Sequence, residues 1–415
     1  MFLSHVYTWT VLFVKVLGLY IWYGKTPTMY EKALELIRNQ NILFIKVFQS
    51  LANSNSLELS PEFQSQLQIY TSNTSYTDAD INYECLDHIE TKYDINIDRH
   101  VLNSGMIALV FKGIDRDWKP VIIKLKRLHI QERLRECCDS VSALYRWMLY
   151  LFPTSMCVRI LKTFIVNIGD IIDQCDFAQE IENTKRAKED YEPLDFIQVP
   201  TIYNEEDNTD SPEYILMEYI EGSHTIPPGA DRDQYMEKFN IFTSYVFLFN
   251  AIQHTDLHNG NFLFTERGFG IIDFGMAIQM SDAMHDVVLS IAAIIRDNPP
   301  LHEIDFIDTF KDLFSPPLDR YSMKDPAKVE DICIEIARPL FDSIDADELN
   351  IMNSVTRLSK HIGKEVVFNT DVYKMLLGVS MMSAKIVIMG PEYSHEKFIR
   401  NQRRALRKAY ELIMN

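Results

Sequence analysis

The chain has no C-x-x-C pair and no cysteine set beside histidine at metal-ligand spacing. Its six cysteines, at 85, 137, 138, 157, 175 and 333, therefore read as reduced, mostly structural thiols in a reducing compartment. It has no internal repeat and no low-complexity tract, which sets aside solenoid and linker-type chains. No basic leader with an A-x-A cleavage pattern opens it, which disfavours a secretory signal. Positive charge is scarce: 41 Lys and Arg stand against 59 Asp and Glu, a net charge of −18 that disfavours nucleic acid as a partner. One local basic run survives near the end, Arg400, Arg403, Arg404, Arg407 and Lys408, and reads as a solvated helix face, with an anionic membrane contact as the alternative.

An unbroken membrane-length apolar run is missing as well. Val6 to Tyr23 is largely apolar, but Lys15 sits in its middle. A central Lys costs about 2.5 to 3.5 kcal/mol on insertion scales. Two readings of residues 1–26 stay open: an amphipathic or docking helix, and a membrane anchor flanked by Trp9, Tyr20, Trp22, Tyr23 and Lys25.

What is present is a folded body with 47% hydrophobic and 24% charged residues over 415 positions, enough for one large or two ordinary cores. Its chemistry concentrates in His254–Gly275, HTDLHNGNFLFTERGFGIIDFG. Asp256 and Asn261 stand at D-x-x-x-x-N spacing, and Asp273 opens a D-F-G behind two short apolar strands, Phe262 to Phe264 and Phe269 to Ile272. Phosphoryl transfer needs Mg2+ held against phosphates and a carboxylate near the accepting hydroxyl. Asp256 fits the carboxylate, and Asn261 and Asp273 fit the metal.

Upstream, residues 27–70 predict two helices broken near Ser60-Pro61, with Ile42, Leu43, Ile45, Val47 and Phe48 as an apolar stripe on the first. Lys46 and Gln49 lie on a neighbouring face. Leu102 to Gly113 predicts a strand, a turn over phosphates and a second strand, although only Gly105 remains of three expected glycines, with Asn103 and Ala108 in the other places. Lys124 ends the β-branched run Val121-Ile-Ile and matches the strand lysine that bridges nucleotide phosphates and a helix Glu. Taken alone, a Lys at a strand end is more often solvent-facing. Residues 129–190 read as helical. Within them Asp176, Glu180 and Asn183 share one helical face, and Glu180 is the candidate partner for Lys124; a solvated acidic face is the plainer reading.

Gln198 to Tyr203 and Tyr214 to Gly222 predict strands, the second running into a hinge where the backbone of Glu218 to Ile220 could bond an adenine edge and Gly222 permits the turn. Phe239 to Ile252 reads as an apolar helix leading into His254, and helices follow over 283–296, 303–313, 328–342, 347–362, 370–389 and 395–414.

Taken together, these blocks resemble the UbiB-type atypical kinases, a branch of the protein-kinase-like fold, from about residue 40 to at least residue 280. Lys46-Val-Phe-Gln49 with the downstream Ser60-Pro61 resembles the family's K-x-G-Q extension, and Gln174-Cys-Asp-Phe-Ala-Gln-Glu180 with Asn183 resembles its E-x-D helix. Val199 to Tyr203, Met217 to Gly222, His254 to Asn261 and Asp273 to Met276 match its remaining blocks. The departures are Phe48 for glycine, Gln174 for glutamate, and Asn103 to Ala108 in place of an alanine-rich loop.

The resemblance implies an α+β, two-lobed kinase-like fold: an extension over 27–95, a small β-containing lobe with inserted helices over 96–222, and a helical lobe over 223–415. It implies ATP and Mg2+ as cofactors, with Gly105, Ala108, Lys124, Glu218 and Ile220 on nucleotide, Asn261 and Asp273 on metal, and Lys124, Glu180 and Asp256 in catalysis. It further implies a gate in which Lys46 and Gln49 meet Asp176, Gln174 being neutral here. A lipid or isoprenoid-like small molecule, a membrane surface and an intracellular place complete the expectation, with a role in isoprenoid-lipid or quinone metabolism. The lack of an A-P-E element after the D-F-G argues against an ordinary peptide kinase. Two rivals stay open: a small-molecule or protein kinase of another branch, and a pseudokinase that holds nucleotide as a binding module.

Overall fold

The computed structural model describes residues 2–44, 63, 74, 76–153, 158, 161, 165, 175–204, 212–255, 257, 260–297, 303–341, 351–362, 367–369 and 404–409. The chain divides into two compact units, residues 1–181 with 202–219, and residues 182–201 with 220–415.

The first unit opens with helix α1 (Phe2–Tyr23), which is long and apolar enough to cross a membrane from Ser4 to Tyr23. One face of α1 is docked: Trp9 and Leu12 are buried, and the Trp9 indole N–H donates to the carbonyl and hydroxyl oxygens of Ser140, both at 3.0 Å. Phe13, Val14, Leu17, Tyr20, Ile21 and Trp22 are exposed. Helix α2 (Pro27–Gln40) starts where the Thr26 hydroxyl accepts from the Met29 N–H and Pro27 fills the first turn. It stops at Gln40, short of the apolar stripe expected on it. Asn41 turns the chain away, donating to the Cys137 carbonyl at 2.9 Å and accepting from the Leu43 N–H at 3.0 Å. Ile42 and Leu43 are buried beyond that stop.

Helix α3 (Tyr83–Tyr93) precedes three antiparallel strands: β1 (Asn96–Ser104), β2 (Ala108–Ile114) and β3 (Pro120–Lys126). Helices α4 (Ile130–Leu151) and α5 (Phe177–Asp190) follow, α5 running from the first unit into the second. Strand β4 (Ile197–Gln198) lies in the second unit, and the chain then returns to the first for β5 (Tyr214–Glu218). The sheet order is β1-β2-β3-β5. Alternation along the strands builds two cores. Leu109, Phe111, Val121, Ile123 and Leu125 pack with Leu86 and Ile89 of α3, whereas Ala108, Ile215 and Met217 pack with Ile130 and Leu134 of α4 and Phe177 of α5. Lys124 continues into Leu125 and Lys126, so it lies inside its strand rather than at the end.

In the second unit, α6 (Arg232–Leu248) is capped by Asp231, which accepts from Asp233 and Gln234. The helix begins earlier and ends sooner than the apolar run Phe239 to Ile252 suggested. It leads to β6 (Gln253–His254), the hairpin β7 (Phe262–Phe264) and β8 (Phe269–Ile271), and β9 (Ala277–Ile278), which pairs back on β6. β4 joins β8 in parallel, and it is shorter than the expected strand Gln198 to Tyr203 because Pro200 has no N–H for a ladder. Gly268 closes the hairpin at φ 159, where a Cβ would stand 2.4 Å from the Phe196 carbonyl oxygen. Phe239, Phe242, Phe262, Phe264, Phe269 and Phe274 fill the core of this unit. Helices α7 (Asp282–Asp297), α8 (Phe306–Phe310), α9 (Pro326–Phe341) and α10 (Ile351–Ile362) follow, with residues 404–409 helical. The helix expected over 370–389 lies outside the described residues.

Candidate functional site

Each unit carries a set of the residues singled out above. In the first, β3 presents Lys124 on the face that packs with α5. Its ammonium donates to both carboxylate oxygens of Glu180, at 2.7 and 2.8 Å. The side chains are 13% and 2% exposed, so the two charges meet in a largely dry setting. The ring of Phe177 stands 5.6 Å from the same ammonium. Asp176 caps α5: one carboxylate oxygen accepts from the N–H groups of Ala178 and Gln179 at 3.0 and 3.2 Å. Lys46 and Gln49, its expected companions, lie outside the described residues.

The turn between β1 and β2 is held from beneath by a residue not foreseen. Arg127 is 2% exposed. Its Nε and Nη2 donate to the Gly105 carbonyl at 3.1 and 2.7 Å, and Nη2 donates to the Ser104 hydroxyl at 2.8 Å. Asp80 supplies the counter-charge at 3.5 Å, and also takes Arg133 at 2.7 Å. Desolvation pulls the Arg127 pKa below its ordinary value, and Asp80 opposes that pull. Within the turn, the Ser104 N–H donates to the Asn103 side chain and the Gly105 N–H to the Ala108 carbonyl, at 2.8 and 2.9 Å. Ala108 is buried opposite Lys126 in β2. Sequence gave no sign of Arg127, which follows Lys124-Leu-Lys as if part of a solvated basic run.

Glu218 ends β5, paired opposite Val121, and Ile220 is buried as the first residue of the next stretch of the second unit. Gly222 packs closely against the β7–β8 hairpin. A Cβ at Gly222 would stand 3.0 Å from both the Leu263 Cβ and the Phe264 carbonyl oxygen, a tight approach that favours glycine there.

In the second unit, Asn261 is buried and its carbonyl accepts the Ile272 N–H at 3.1 Å. The His254 Nε2–H donates to the Ile272 carbonyl at 3.2 Å, and the Thr255 N–H donates to the Met276 carbonyl at 2.9 Å. These bonds brace both ends of the D-F-G. Asp273 between them adopts φ 62, in the left-handed region. Its Oδ1 accepts from the Gly275 N–H at 3.4 Å. The Phe274 ring is fully buried, 5.3 Å from the ring of His254. The Asn183 amide of α5 donates to the Phe274 carbonyl at 3.0 Å. Asp256 lies outside the described residues. Asn261 and Asp273 are thus tied through the main chain of Ile272. Their side chains offer hard oxygen donors, and a carboxylate with an amide oxygen fits Mg2+, which commonly keeps several waters and takes few protein ligands.

The sequence matches the model of the ABC1 atypical kinase-like domain over residues 66–300, more than half of the chain. The chain belongs to the ABC1 atypical kinase-like family. It has the kinase-like fold of that family. Its structure is similar to Rv3197 of Mycobacterium tuberculosis, solved with erythromycin, with a TM-score of 0.51 at 14% identity over 77% of this chain and 82% of that one. A looser likeness, TM-score 0.29 at 11% identity, covers 89% of this chain and 95% of the Rio2 kinase of Chaetomium thermophilum. In sequence it is 24% identical over 284 residues to an uncharacterized protein of the hydrogenase 1 5' region of Clostridium pasteurianum. That match takes in 65% of this chain and 52% of the relative, so the chain spans about half the length of the curated relative it matches.

Proposed function

We propose that the chain is an atypical kinase or ATPase that uses Mg-ATP in isoprenoid-lipid or quinone metabolism at a membrane. The observation that carries this reading is the closed, two-bonded Lys124–Glu180 pair. A buried ion pair is a poor device for stability, since an apolar pair of similar size does as well or better. It is what a phosphate-gripping lysine requires, because the carboxylate fixes the ammonium in one place.

In this reading Lys124 takes the α- and β-phosphates and Glu180 orients it. Gly105 and Ala108 lie along the phosphates, and the main chain of Glu218 and Ile220 bonds the adenine edge. Asn261 and Asp273 hold Mg2+, which when bound neutralises phosphate charge. Asp256 accepts the proton of the attacking hydroxyl or water. Lys46 and Gln49 form the gate with Asp176, a role Asp176 would hold besides capping α5. The exposed apolar side of α1 and its length support a membrane setting, and the acceptor would be a lipid or isoprenoid-like molecule inside the cell.

A second reading, nucleotide held without turnover, is favoured by the β1–β2 turn, whose Ser104 and Gly105 N–H groups are already used within the turn. Phosphate release from ATP by the full chain separates the two. The kinase reading expects release that needs Mg2+, rises with anionic liposomes and disappears in Asp273→Asn. Nucleotide binding with no release in any of these conditions would replace it with the second reading.

A further inference from the structure

The peptide unit that joins Phe274 to Gly275 carries two contacts. Its carbonyl accepts the Asn183 amide at 3.0 Å, and its N–H donates to the Asp273 Oδ1 at 3.4 Å. The two groups point in opposite directions from one rigid plane, so fixing the carbonyl fixes the N–H. We infer that Asn183 is a positioning residue: it sets the Phe274–Gly275 peptide plane and thereby the Asp273 carboxylate.

Asp273, just before this plane, sits in the left-handed region at φ 62, so its carboxylate depends on how the main chain after it is held. A buried carbonyl stripped of its donor is left unsatisfied, which disfavours that orientation of the plane. Turning this plane changes only ψ of Phe274 and φ of Gly275, and glycine resists such a turn little, so the Asn183 bond is what selects the observed orientation. The restraints before Asp273, Ile272 N–H on the Asn261 carbonyl and His254 on the Ile272 carbonyl, hold the two preceding planes. After Asp273, the Phe274 ring is clasped by Tyr191, whose centroid lies 6.4 Å away, but a buried ring does not prevent its own peptide from rotating. Asn183 is itself 8% exposed, comes from a distant part of the chain and approaches from α5. Polar groups behind a metal ligand typically change metal affinity by about 10–100-fold when removed.

The inference rests on Asp273 holding Mg2+, and the test separates the two. Asn183→Asp keeps the shape and replaces the donor by an acceptor that repels the Phe274 carbonyl; Asn183→Ala removes the side-chain amide. In the full chain, binding of a fluorescent ADP is titrated against Mg2+ and repeated in EDTA. Half-saturating Mg2+ should rise about tenfold or more in Asn183→Asp and less in Asn183→Ala, with metal-free ADP affinity unchanged. A merely structural role would move both affinities and the melting temperature together. Amide exchange at Gly275 in nucleotide-free protein is the second readout, expected to quicken about tenfold in both variants. Should the unchanged protein bind ADP without regard to Mg2+, the metal reading fails while the exchange result still decides on Asn183. Unaltered exchange at Gly275 in a folded variant overturns the inference, and if Asn183→Asp does not fold, Asn183→Ala carries the same measurements.

Discussion

Lys124 in the first unit and Asp273 in the second are held in place by different physics. Lys124 is fixed by charge, through a bidentate carboxylate on a neighbouring helix, and the turn near it is fixed by a second buried pair, Arg127 with Asp80. Asp273 is fixed by main chain, through bonds that brace Ile272, Phe274 and Met276 around one left-handed residue. The difference teaches where each site is fragile. A charge-held site fails when one partner is neutralised, whereas a backbone-held site tolerates loss of the carboxylate itself.

Glu180→Gln gives the largest break. It removes the Glu180 charge that meets the Lys124 ammonium in a largely dry setting, at a cost of about 3–5 kcal/mol. Urea unfolding should report that loss, and pairing Lys124→Met with Glu180→Leu should recover most of it. A double variant no better than the single one would mean that charge is not what holds this site.

Asp80→Asn comes next and carries a pH signature. Burial alone would raise the Asp80 carboxyl, but the Thr77 N–H, then Arg127 and Arg133, outweigh it and hold the group below the ordinary carboxylate value. A folded-state pKa depressed in this way contributes stability in full above the unfolded value, near about 3.9, and loses it as pH falls through the folded value. The variant should be less stable than the parent by about 1–3 kcal/mol at neutral pH. The gap should close in acid, and unfolding at pH 7 and pH 3 measures it; a gap independent of pH would remove Asp80 from the clamp.

The smallest effect sharpens the comparison because its sign is reversed. Asp273→Gly relieves a left-handed residue and should leave stability unchanged or raise it by about 1 kcal/mol. Mg2+-dependent phosphate release should vanish in the same protein. A large fall in melting temperature would show that the carboxylate, and not the main chain, carries the turn.

Much of this was legible in residue order, for identifiable reasons. The β7–β8 hairpin is announced by two short phenylalanine-rich runs around a polar turn, and the Lys124–Glu180 pairing by a strand lysine and a helical acid that resemble one family's pattern. Local signals of this kind survive because each rests on neighbouring residues. Arg127 and Asp80 gave no such signal, since a buried guanidinium is recognised only by acceptors that the fold gathers from separate segments, Asp80 from one and Ser104 with Gly105 from another. The close approach at Gly222 is hidden for the same reason: a neighbour's backbone at 3.0 Å is something no local preference for turns can express. The stop of α2 at Gln40 likewise depends on Asn41 finding the Cys137 carbonyl far along the chain.

The order of the strands has a consequence for biogenesis. β5 completes the sheet against β3, yet it is made only after α5 and β4 have already carried the chain into the other unit and back. A nascent chain halted at residue 181 would therefore expose one whole edge of β3, from Val121 to Leu125, with its hydrogen-bonding groups unmatched. Neither unit is a contiguous gene segment, so the first cannot mature on the ribosome as a finished module before synthesis passes Glu218. Expression of residues 1–181 alone would yield a fragment prone to pairing through that edge with its own copies.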